Sequence, residues 1–295
     1  MVKINPKTEV VFMLRTDIAA EAHEMSMAES AKVEGVISNT EYFEEISVTT
    51  VEILNESGAE KIGKSIGKYI TVEAMDLKYS ADVYEKTCSL ISKQIKKLVD
   101  FSDINLVLVA GLGNDDITPD SLGTGVSSQI MVTHHMKKYA PHIFGENIRS
   151  VCAIAPGVLG TTGMESADII KSVASDLKPD LVIVVDALAA ADYKRIGNTV
   201  QLSDAGIQPG AGVGNNRCAI NKNELGVPVI AIGVPTVVDA RTILNDENNN
   251  DMEPYIVTPR DIDLIIKKCA KTVSNGINLA LQDDMSLREI EEYVG

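Results

Sequence analysis

Residues 106–120, LVLVAGLGNDDITPD, decide the fold. A run of branched apolar side chains enters a Gly-Leu-Gly-Asn turn and then a cluster of acids that ends in Asp120. A second run, LVIVVDALAA at 181–190, delivers Asp186 to a similar strand end. Open α/β sheets present their functional groups at the carboxyl ends of strands. Two acids placed there point to carboxylate chemistry, either direct acid/base work or metal binding.

Outward from this stretch, five apolar segments read as core strands: 104–110, 150–155, 181–185, 198–202 and 227–233. Three are nearly continuous branched runs, the pattern expected where both sheet faces are covered. Helical patterns separate them. In 80–99, Tyr84, Cys88, Ile91, Ile95 and Leu98 recur at spacings of three and four, an apolar stripe. A capping box over Thr162–Glu165 is expected to open a helix that stops before Pro179. Thr258-Pro-Arg-Asp261 and Ser286-Leu-Arg-Glu289 carry the start signals of two more. The alternation predicts an α/β fold, a mostly parallel sheet flanked by helices on both faces, in one domain over 1–295. Residues 43–75 differ: two strand-like segments flank the link GAEKIGKSIG, expected as a hairpin or a small β annex.

The chain of 295 residues is 45% hydrophobic, enough for a large core. Its 42 acidic against 27 basic side chains give a formal charge of -15, which disfavours binding to nucleic acid or anionic membrane. The four cysteines are scattered without a CxxC, as for buried thiols in a reducing compartment. VVFML at 10–14 is too short for a signal peptide and is followed by Arg15, Asp17 and Glu21; a cytoplasmic protein is expected.

Gly111, Gly113 and Asn114 do not complete a dinucleotide fingerprint. The third glycine is missing, and Asp115 and Asp116 stand where a pyrophosphate needs neutral donors. Asp120 or Thr118 can cap the helix that follows. Alternatively Asp120 faces Asp186 across neighbouring strand ends, and the pair shares a proton. Such a pair activates water with one member and protonates a departing amine with the other, or holds a divalent metal. Asp204 opens a glycine-rich run with Gly206, Gly210, Gly212 and Gly214. Without the lysine and Ser/Thr of a phosphate loop, the run reads as a substrate-binding loop or a plain connection. Asp239 adds a third acid to the rim or stabilises a first helical turn. His23, His134, His135 and His142 form no ligand motif, and no serine sits in a G-x-S-x-G elbow.

Six segments carry a resemblance in one order: RTDIAAEAH (15–23), GLGNDDITPDSLG (111–123), APGVLGTTGMES (155–166), DLVIVVDALAA (180–190), QLSDAGIQPGAGVGNNR (201–217) and LGVPVIAIGVPTVVDA (225–240). The chain resembles the germination proteases of spore-forming bacteria, endopeptidases that degrade small acid-soluble spore proteins. The resemblance implies an aspartate-dependent peptidase of the spore cytoplasm. Asp120 and Asp186 match its proposed catalytic residues, with no resident cofactor expected, although a divalent metal at the pair stays open. Backbone donors and polar groups near Gly113, Asn114, Asp115, Asp116, Thr118, Asp204, Gly206, Gly212 and Asp239 are supporting or substrate-binding candidates. It further implies a homotetramer and a zymogen that removes residues 1–17 by cutting between Asp17 and Ile18. A related resemblance is to hydrogenase-maturation endopeptidases, which share the strand–GxGN–acid arrangement and use metal to recognise substrate. The chain departs from the family pattern at Ala191, where arginine is expected, at Gln208, where histidine is usual, and in the short stretch 241–257.

Overall fold

The computed structural model describes residues 16–29, 33–74, 81–139, 148–210, 218–240 and 255–294. Most of the expected propeptide, together with Gly212 and the loop 246–252, lies outside the described residues. The strands are β1 Val36–Phe43, β2 Ile46–Ile53, β3 Gly67–Ala74, β4 Leu106–Gly111, β5 Ser150–Ile154, β6 Leu181–Ala190, β7 Thr199–Ser203, β8 Val229–Asp239 and β9 Ile256–Val257. The helices are α1 Ala19–Glu29, α2 Glu56–Ile62, α3 Ala81–Leu98, α4 Leu122–Ser127, α5 His134–Tyr139, α6 Leu159–Thr162, α7 Ser166–Leu177, α8 Lys222–Leu225, α9 Ile262–Leu281 and α10 Leu287–Val294.

One nine-stranded sheet runs in the order β1-β2-β3-β7-β8-β6-β4-β5, with β9 paired to β8. Among the described residues, only β4–β5, β4–β6 and β6–β8 are parallel pairings. The others, β1–β2, β2–β3, β3–β7, β7–β8 and β8–β9, are antiparallel. The fold is α/β, but its sheet is mixed and more antiparallel than parallel, which corrects the mostly parallel expectation. The reason is physical: a continuous run of branched residues reports coverage of both faces and carries no strand direction. β7 is buried along its whole length and still runs antiparallel to both neighbours. The two strands expected within 43–75 are β2 and β3, continuous with the sheet through β3–β7, and part of the glycine-rich link between them forms α2.

Helices cover both faces. Val107, Val109, Ile183 and Val185 point to one side and join a core with α3, α4 and α9. Of the expected stripe, α3 buries Cys88, Ile91 and Ile95 and leaves Tyr84 and Leu98 half-buried, while Val83 and Leu90 join the buried face. Fully buried Ile265, Val273 and Ile277 of α9 each contribute roughly 1.5–3 kcal/mol by leaving water. On the other side, Leu108, Ala110, Val182 and Val184 alternate with the first set, as the pleat demands, and meet Ile170 and Ala174 of α7. Further along this face, Ile18, Ala19 and Ala20 at the start of α1 pack with Ile62, Tyr69 and Leu188.

Two helix starts differ from expectation. Gly163, at φ +72°, closes α6, so α7 begins at Ser166 and the Thr162 hydroxyl bonds the Val158 and Met164 carbonyls instead. Thr258 donates to the Thr236 carbonyl at 2.8 Å, and α9 starts later with Asp261 at its N-cap. The Ser286–Glu289 box forms as expected: each residue's side chain accepts from the other's backbone N–H.

Candidate active site

The first acid is placed by the end of β4. The Leu112 N–H donates to the Val185 carbonyl at 2.7 Å, so the chain stays joined to β6 one residue past the strand. It then loops and returns. Asp116 N–H donates to Asn114 Oδ1 at 3.0 Å, Asp120 N–H to the Ile117 carbonyl at 2.8 Å, and Asn114 N–H to the Asp120 carbonyl at 3.2 Å. Gly113 makes that return possible. Its φ is +116°, and a Cβ there would stand 1.8 Å from the Asp120 carbonyl oxygen and 3.5 Å from its carboxyl carbon. Asp120 is thereby held over the strand end within a 3₁₀ turn, Thr118–Asp120, ahead of α4. The N-cap of α4 is Ser121, so neither Asp120 nor Thr118 holds that position.

The second acid lies on β6 itself. Asp186 follows Val185, the residue that receives the Leu112 bond, and is only 6% exposed. Its Oδ1 accepts the Ala187 N–H at 2.9 Å. Asp120 and Asp186 line one cleft of about 450 Å³, with apolar walls from Leu112, Ile117, Val158, Leu188 and Ile256. Asp17 lines it too. A narrower cleft of about 160 Å³ adjoins at Asp17 and Asp186 and is bordered by Lys64, Gln201, Ser203, Gly206 and Gln208.

Residues 16–21 are locked into this region. Asp17 N–H donates to the Ala189 carbonyl, and its Oδ2 accepts the Ala189 N–H, both at 2.9 Å. The Lys64 ammonium donates to the Thr16 carbonyl at 2.8 Å and stands 4.0 Å from Asp17 Oδ1. Burial lowers the Lys64 pKa, while Asp17 and Glu21 oppose the shift. Glu21 accepts the N–H groups of Ala191 and Asp192 and meets Arg195 at 3.6 Å. Thus Ala191 still contacts the start of α1, through its backbone, and the nearby guanidinium belongs to Arg195. Arg195 also binds Glu24 and Glu73 at 2.8 and 2.7 Å.

The remaining candidates are dispersed. Asp115 accepts a hydrogen bond from the Thr124 hydroxyl, and Asp116 is exposed. Asp204 accepts the Lys68 N–H at 2.7 Å, a structural bond across the β3–β7 junction. Asp239 ends β8 opposite Ile256 and borders neither cleft. Gly206 and Gln208 do border the narrower one. Among the described residues, no group of three or more His, Cys, Asp or Glu side chains is arranged to hold a metal ion. Sequence reading missed Lys64 and Gln201. A glutamine inside the apolar run NTVQL was the available signal for the second; Lys64, in a glycine-flanked loop, offered none.

Comparison with known proteins agrees over most of the chain. The family model described as Germination protease matches residues 14–252. A germination protease of Caldanaerobacter subterraneus subsp. tengcongensis is 43% identical over 323 residues, covering 97% of this chain and 99% of its own. One from Clostridium perfringens is 40% identical over 324 residues, covering 96% and 100%. Among solved structures, a [NiFe] hydrogenase maturation protease from Thermococcus kodakarensis overlaps 60% of this chain and 95% of its own, at 17% identity and a TM-score of 0.35. That overlap is too slight to carry an argument. The sequence matches are extensive, and the chain belongs to the germination protease family.

Proposed function

We propose that this endopeptidase hydrolyses small acid-soluble spore proteins during germination, in the spore cytoplasm, and is made as a zymogen that cuts its own Asp17–Ile18 bond. The observation that carries the reading is the single cleft lined by Asp17, Asp120 and Asp186. In this reading one carboxyl of the pair is protonated and the other charged. The charged one takes a proton from water as the water oxygen bonds to the scissile carbonyl carbon. The protonated one gives its proton to the amide nitrogen as the C–N bond breaks. The products are a carboxylic acid and an amine, and the pair is left with its proton on the opposite member. Asp120 and Asp186 fill these two roles. The uncut segment sets Asp17 in the cleft wall, so deleting residues 1–17 is expected to raise peptidase activity. By family pattern the working form is a homotetramer.

The test follows intact mass over time for full-length wild type, D120N and D186N with a small acid-soluble spore protein, with and without chelator. Wild type is expected to lose residues 1–17 and then cut the spore protein, chelator or not, while both variants do neither. A wild-type chain that never cuts, with an inert Δ1–17 form, would instead indicate a protein that binds spore proteins without cleaving them. Loss of activity to chelator would indicate metal-dependent chemistry.

A further inference from the structure

The peptide unit between Asp17 and Ile18 is gripped at every polar atom. The Asp17 carbonyl accepts a hydrogen bond from Gln201 Nε2 at 2.9 Å. The Ile18 N–H donates to Thr16 Oγ1 at 3.0 Å. One residue on, the Ala19 N–H donates to Gln201 Oε1 at 2.6 Å. A single buried side-chain amide therefore straddles the bond. The opposite amide orientation would set Nε2 against the Ala19 N–H and Oε1 against the Asp17 carbonyl, so the partners fix which atom points where.

Gln201 is also placed level with Asp186. Gly233 on β8 is registered with Asp186 on one side and with Gln201 on the other. Residues level across a sheet share a face, and two strand spacings separate their Cα atoms by roughly 10 Å. Both border the narrower cleft together with Asp17 and Lys64. Lys64, its side chain 17% exposed, donates to the Thr16 carbonyl, one residue ahead of Asp17, and faces the Asp17 carboxylate.

Resting on the self-cleaving reading above, we infer that Gln201 and Lys64 are the residues that prepare this bond for its own cleavage. Gln201 Nε2 donates to the carbonyl oxygen on which negative charge develops when water adds to the carbon, and Lys64 selects an acid at position 17. A donor already aimed at that oxygen needs no rearrangement as the charge grows, which is what makes such donors effective. The same amide ties the bond to α1. Its Oε1 holds Ala19, whose neighbours Ile18 and Ala20 are buried, so the segment cannot swing out of register.

The experiment measures the rate of the cut after Asp17 in the full chain by intact mass, for wild type, D120N, Gln201→Glu, Lys64→Met, Asp17→Asn and the Lys64→Met/Asp17→Asn double variant. Gln201→Glu keeps the oxygen that accepts from Ala19 and replaces only the donor. Removing one such donor is expected to slow the cut about 10²–10³-fold. Lys64→Met and Asp17→Asn should each slow it, and the double variant should be no slower than the worse single, because one interaction is lost once. Circular dichroism and the urea midpoint report whether each variant folds; if Gln201→Glu does not, Gln201→Met and the double-variant cycle decide. Wild-type rates in a folded Gln201 variant, or multiplying losses in the double variant, would overturn the assignment. If wild type never cuts, or D120N cuts normally, the underlying self-cleaving aspartate reading has failed and this assignment falls with it.

Discussion

Replacing Gly113 by alanine places a methyl carbon 1.8 Å from the Asp120 carbonyl oxygen. Carbon and oxygen do not approach within 3.0 Å in such contacts, so the loop must open by about 1.2 Å, the difference between those distances. The oxygen belongs to the residue whose carboxyl lines the cleft, and the displacement moves that carboxyl directly. A misplacement of about 1 Å at reacting groups can cost roughly 10²-fold in rate. Backbone strain from an L side chain at φ +116° adds about 1–3 kcal/mol of destabilisation. Gly226→Ala serves as the control: it imposes a positive φ of 75° with nothing within 4 Å of the new carbon. Urea denaturation and the rate of spore-protein cleavage by the processed form are measured for both. Both variants should lose stability, but only Gly113→Ala should lose about 10²-fold in rate. Equal rates for the two would refute the claim that this glycine positions Asp120.

Arg195 is 11% exposed at its side chain and pairs with Glu21, Glu24 and Glu73, so Arg195→Met removes the cation they share while Glu21 keeps its hydrogen bonds from the Ala191 and Asp192 N–H groups. Urea denaturation should show a loss of about 1–3 kcal/mol; adding Glu21→Gln should not restore it, because its NH2 would face the Ala191 or Asp192 N–H, and the exposed Glu24 adds little. Thiol titration of the native protein at pH 8 should find one fast equivalent, Cys218, with Cys88 and Cys269 reacting only after denaturation. Burial pushes the Cys88 thiol up to about 12 from 9.0. The folded chain thus keeps a proton that the unfolded chain releases. The corresponding stability is complete below about pH 9 and is lost as pH climbs toward 12, which urea midpoints across that range will show.

The segments that line the larger cleft were legible because they repeat simple signals. Branched runs at 106–110 and 181–185 marked strands, and the acids just beyond them marked the cleft. Strand direction was not legible, because burial of both faces gives β7 and β8 the same apolar run in either orientation. Helix starts were read correctly at Ser286, where the cap is purely local, and wrongly at Thr162 and Thr258. At Thr162 the chain turns left-handed at Gly163, and at Thr258 the hydroxyl is drawn to Thr236, 22 residues away. Lys64 and Gln201 were invisible for a related reason: they matter through residues 48 and 184 positions away along the chain, to which no local pattern refers.

The central claim is that Asp120 and Asp186 work as one unit on a water molecule. It is tested most directly by comparing spore-protein cleavage by Δ1–17 forms carrying D120N, D186N and both. Residues that act together lose their effect once, so the double variant should be no slower than the slower single. Losses that multiply in the double variant, or a single variant within tenfold of the unsubstituted form, would contradict it.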